Sequence, residues 1–92
     1  MEKSDIVSRV KSALRISTDN TDIVTEIEDV VDECIELLER KGVVINYDDT
    51  LLLKACKTYA KAYYGYEENH EEYQKSFQDI LLDLMLMTEK EV

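Results

Sequence analysis

The sequence predicts an all-α fold, a small single-domain bundle of about four helices, and three observations predict it. Proline is absent and the only glycines are Gly42 and Gly65, whereas sandwiches and barrels need turn residues at roughly every 8–12 positions. Leu, Glu, Lys and Ala supply strong helix formers. Apolar residues recur at helical spacing through most of the chain. Ninety-two residues suit one domain, spanning 1–92, with a thin core that assembly with other subunits would supplement.

The first helix is expected over about Asp5 to Arg15, with Ser4 as its N-cap. Ile6, Val7, Val10, Ala13 and Leu14 gather on one face of it. Ser17-Thr18-Asp19-Asn20 reads as a turn, and Asn20 or Thr21 caps a second helix over about Asp22 to Lys41. Ile23, Ile27, Val30, Val31, Cys34, Leu37 and Leu38 form its apolar stripe, and Gly42 stops it. Val43-Val44-Ile45-Asn46-Tyr47 is β-prone but too isolated to form a sheet.

Asp48 or Asp49 caps the third helix, about Thr50 to Tyr64, which Gly65 closes. Its apolar residues cover well over half the circumference, so it must be enclosed on more than one side. Asn69 caps the fourth helix, with Glu72 completing a capping-box pattern, and the helix runs to about Thr88. Tyr73, Phe77, Ile80, Leu81, Leu84 and Met87 make its core stripe. Leu82 and Leu86 lie off that stripe beside Met85, where an isolated monomer would leave the leucines wet.

The net charge of −10 argues against a DNA-binding surface, which needs clustered Lys and Arg to neutralise phosphates. It favours rejection of polyanions. The opening Met1-Glu2-Lys3-Ser4-Asp5 does not read as a secretory signal. The greasiest run, Ile80 to Met87, is broken by Asp83 and too short to span a bilayer, so no membrane partner is expected. Cys34 and Cys56 sit at apolar helix positions and read as free buried thiols.

No nucleophile–base pair, Gly-rich phosphate loop or EF-hand pattern occurs, and no cofactor, metal or catalytic residue is expected. His70 is the only histidine; Glu67 and His70 make an ExxH pattern, but a di-iron bundle needs that motif on two helices. A surface histidine is the simpler reading. Tyr59, Tyr63, Tyr64, Tyr66 and Tyr73 cluster near the last turn and lack the interleaved arginine of a nucleic-acid platform.

Two charge patterns remain. Asp22, Glu26, Asp29, Glu33 and Glu36 form one acidic strip along the second helix. It is either a solvated face or a surface that docks a basic partner or lines a channel. Lys54, Lys57 and Lys61 form a basic strip on the third helix, either solvated or facing carboxylates of a neighbouring subunit. Such a contact joins unlike surfaces and closes rings or propagates filaments.

The whole pattern resembles the head-tail connector (head-completion) proteins of tailed phages. The resemblance rests on Val10-Lys11-Ser12-Ala13-Leu14-Arg15-Ile16, a polar turn, then Thr21-Asp22-Ile23 opening a helix that ends Leu37-Leu38-Glu39-Arg40-Lys41-Gly42. Asp48-Asp49, the helix with Ala55, Tyr59, Ala62 and Tyr64, then Tyr73 and Leu81-Leu82-Asp83-Leu84 extend it over nearly the whole chain. Relatives often carry arginine after the tyrosine that ends the third helix; Gly65 stands there instead.

The resemblance implies a non-enzymatic structural subunit of the virion neck, present in the host cytoplasm during assembly. It would form a homo-oligomeric ring below the portal protein, extend the DNA channel, and dock the next neck or tail-completion protein. DNA would be passing cargo only. In that setting Asp22, Glu26, Asp29, Glu33 and Glu36 are candidates to face the channel. Lys54, Lys57 and Lys61 are candidates for a subunit interface, and Leu82, Met85 and Leu86 for an apolar contact with portal or neighbour. The alternative is a small acidic regulator that binds a basic partner or mimics DNA charge, which should spread carboxylates over much of its surface.

Overall fold

The computed structural model describes residues 1–17, 20–64 and 68–91, the last four without their side chains. It contains four helices, α1 (Lys3–Ala13), α2 (Thr21–Arg40), α3 (Thr50–Tyr63) and α4 (His70–Glu91), and no strand among the described residues.

Local chemistry sets each boundary. The N-cap of α1 is Glu2, not Ser4: the Asp5 carboxylate accepts from the Glu2 backbone N–H at 2.8 Å. An acceptor three residues downstream outcompetes the serine because it satisfies a free N–H at the helix start. The helix also ends two residues earlier than expected. Arg15 turns left-handed (φ 61°), and the N–H groups of Arg15 and Ile16 close onto Ser12 and Lys11 carbonyls at 3.0 and 3.2 Å. That ending ordinarily takes glycine.

Asn20 caps α2 by accepting from the Asp22 N–H at 2.9 Å. At the other end Gly42 (φ +86°) lets its own N–H and that of Val43 bond the Glu39 and Leu38 carbonyls, both at 3.0 Å. Val43 and Leu38 are both buried, so the turn adds an apolar clasp to its hydrogen bonds. From there the linker runs extended without a partner strand. Val43, Ile45 and Tyr47 turn to the core while Val44 and Asn46 turn out, the period-two alternation of an extended chain.

Asp49 caps α3 through the Leu51 N–H at 2.8 Å. Gly65, expected to close α3, lies outside the described residues. α4 starts directly after Asn69, whose carbonyl accepts from the Tyr73 N–H at 3.2 Å. The α4 N-terminus is tied back to α3 by His70, whose Nδ1–H donates to the Ala62 carbonyl at 2.9 Å. The histidine is half-buried rather than on the open surface, and it gives a carbonyl in the last turn of α3 a side-chain partner.

α3 is the hub, packed against all three other helices, and the principal partner of α4 is α3. Its Leu52, Leu53, Ala55, Cys56, Ala60 and Ala62 are buried, which meets the expectation that it must be enclosed on several sides. Ile6 and Val10 of α1, Ile27, Val31, Cys34 and Leu38 of α2, and Phe77, Ile80, Leu81 and Leu84 of α4 complete the core. Ile35 is buried as well, although it sat outside the expected stripe, while Met87, expected in the core, is exposed. The Tyr59–Phe77 ring contact (centroids 5.2 Å apart) and the His70–Ala62 bond set α3 and α4 antiparallel. With 22 residues against 14, at about 1.5 Å each, α4 outruns α3, and Met87 falls where α3 no longer covers it.

Candidate functional site

The described residues hold no group of His, Cys, Asp and Glu fit for a metal ion. Cys34 and Cys56 are free and buried, and face one another across the α2–α3 contact. The neighbouring Cys56 thiol and burial push Cys34 far above the ordinary thiol range, which keeps it in the protonated form at neutral pH. The surfaces are what distinguish this chain.

Asp22, Glu26, Asp29, Glu33 and Glu36 all stand exposed on α2. Three of them are tethered at their edges. The Tyr64 hydroxyl donates to Glu26 at 2.5 Å, and Arg40 pairs with Glu36 at 2.5 Å. Glu33 lies beside Tyr59, where burial together with that carboxylate raises the phenol above its usual range. Arg40 offsets the charge of Glu36 at the end of the strip, whereas the tyrosines hold Glu26 and Glu33 in place without neutralising them. A second acidic arc, Glu28, Asp32 and Glu39, runs along the flank of α2 nearer α1, and Lys3 of α1 pairs with Asp32. The outer side of α2 is therefore acidic across its width.

Lys54 is exposed on α3, and Lys57 and Lys61 are half-buried. Lys61 lies 5.5 Å from the centre of the Tyr73 ring. Lys54 lines a groove between α3 and α4 together with Asp79 and Asp83. At ~100° per residue, Tyr59, which faces the α2 strip, sits about 140° around α3 from Lys54. The acidic and basic strips thus occupy different sides of the hub helix and do not meet within one protomer.

Leu82 and Leu86 are 56% and 55% exposed on α4. Met85 is different: it is half-buried and packs against the core. The three were grouped by sequence position, but at helical spacing Met85 turns back toward α3 while the leucines point away from it. Sequence reasoning missed one further surface, a shallow cleft between α1 and α2 of about 390 Å³ lined by Lys3, Ser4, Val7, Ser8, Val24, Glu28 and Asp32. The signal was the pair Ser4 and Ser8, one turn apart, whose short side chains leave the helix surface low.

The family model for phage connector proteins matches residues 6–91, almost the entire chain. The chain belongs to the phage connector protein family. Neither a curated protein nor a solved structure matches it. Membership makes the connector a structural phage component rather than an enzyme family member, one that works with other head and tail proteins at the virion neck. No described helix of the connector is long and apolar enough to cross a membrane.

Proposed function

We infer that the chain is the repeating subunit of a ring that docks below the portal once the head is filled, prolongs the DNA channel and receives the next neck or tail component. Membership of the connector family supports a neck role. The observation that carries the ring itself is the pair of exposed leucines, Leu82 and Leu86, on a helix whose Phe77, Ile80, Leu81 and Leu84 are already buried. A protomer that keeps two leucines wet, beside separated acidic and basic sides, gains by associating through unlike surfaces.

Within the ring, the α2 strip Asp22, Glu26, Asp29, Glu33 and Glu36 faces the lumen. There it repels the phosphate backbone so that DNA slides without sticking. Lys54, Lys57 and Lys61 lie on the side turned to a neighbouring subunit, where ion pairs set register more than affinity. Leu82 and Leu86 supply the apolar contact, and Met85 supports them from beneath. An acidic regulator that mimics DNA would not need the lysine strip on α3, which a ring subunit can turn to its neighbour.

The test is complementation. DNA-filled heads lacking the connector are mixed with purified chain and with tails, and infectious particles are counted. The wild-type chain should restore joining, and Leu82→Ser/Leu86→Ser should fail to do so while keeping its helical circular dichroism. Restoration by the double variant at wild-type level would remove the leucines from assembly, and no restoration by the wild type would remove the connector role.

A further inference from the structure

The cleft between α1 and α2 has no task in a lone protomer. Its floor is Val7 and Val24, and its low wall is Ser4 and Ser8. Its rim carries Glu28 and Asp32, the latter already paired with Lys3. The counterpart shape is the outer ridge of α4. Leu82 and Leu86 stand one turn apart, and Lys75 lies two turns before Leu82 on the same face. Lys75 is exposed. Asp83 lies toward the α3–α4 groove that holds Lys54, and Asp79, which also borders that groove, stands exposed between Lys75 and the leucines. The ridge therefore presents two leucines with one lysine and one aspartate, and the cleft presents valine with Glu28, Asp32 and Lys3.

We propose that α4 of one copy seats Leu82 and Leu86 in the α1–α2 cleft of the next copy, with Lys75 against Glu28. This rests on the ring reading above and names the two faces that meet. A second copy is the fitting occupant on three grounds. The charges are complementary, Lys75 to Glu28. Short serines let a neighbouring helix approach closely enough for leucines one turn apart to reach the valine floor. And α4 and the α1–α2 pair lie on different sides of α3, since α4 packs chiefly on α3 while α1 packs on α2 and α3. The two faces cannot meet within one chain, and joining them between chains gives the head-to-tail contact that a ring requires.

The experiment is site-directed cross-linking in the full chain, whose own two cysteines are buried and stay silent to a mild oxidant. Ser8→Cys and Leu86→Cys are introduced separately and together, and the chains are oxidised at high concentration with native mass measured in parallel on the wild type. The double variant should give a ladder of covalent multimers. A mixture of the two single variants should give dimers, and neither single variant alone should link. Charge is read separately: Lys75→Glu and Glu28→Lys should each weaken association, and their combination should recover it. Dimers of Leu86→Cys alone would mean that α4 meets α4, overturning the seat. Wild-type multimers without a Ser8–Leu86 link would overturn the seat while leaving the ring reading standing. A wild type that stays monomeric, with no link at any concentration and none when isolated portal is added, would sink both.

Discussion

Arg15 carries the clearest local strain in the chain. Its left-handed backbone (φ 61°) costs a side-chain-bearing residue roughly 1 kcal/mol that glycine avoids. Replacing it with glycine should raise stability by up to about 1 kcal/mol, measured as a higher urea midpoint with unchanged slope. A lower midpoint would mean that the Arg15 side chain makes contacts worth more than the backbone strain. Cys34 makes a second prediction at this scale. Its folded-state pKa is raised above the ordinary value of 9.0 by Cys56 and burial. The folded chain therefore holds a proton that the unfolded chain releases in alkali. Stability should be level below pH 9.0 and fall above it by up to about 1.4 kcal/mol per pH unit for this thiol. Cys34→Ala should lower stability at neutral pH but flatten the alkaline decline; an unchanged slope would place the alkaline titration elsewhere.

At the scale of the element, α2 does two jobs with its two sides. Ile27, Val31, Cys34, Ile35 and Leu38 are buried, and the opposite side is carboxylate. Like charges at helical spacing cost a few tenths of a kcal/mol per pair, so reversing Glu26, Asp29 and Glu33 to lysine should leave folding within about 0.5 kcal/mol. The effect should appear in function: virions carrying the triple variant should retain or release DNA slowly at normal particle yield, and normal infectivity would count against a lumen role. The helices themselves were legible because their periodicity reports a local property, and Asn20, Gly42 and Asp49 announced three of the ends. The start of α1 was not, because Glu2 with Asp5 is a less conspicuous cap than Ser4. Nor was its end, because an arginine does not advertise a left-handed turn. Met87 lost its expected place in the core for a reason that periodicity cannot carry, namely where the shorter α3 stops beneath α4.

The whole molecule is a hub helix with an acidic side, a lysine edge and a leucine ridge, and none of these is used up inside one protomer. The excess of apolar residues could be read from sequence, since no arrangement of α4 on a single partner hides Leu82 and Leu86 together with Phe77 and Leu81. The α1–α2 cleft could not, because it depends on how two helices sit against each other. Electron microscopy of the purified chain mixed with isolated portal tests the central claim most directly. Closed rings of the chain on one face of the portal, with density for α2 toward the axis, are the predicted result; portals that remain bare at saturating chain concentration would contradict it.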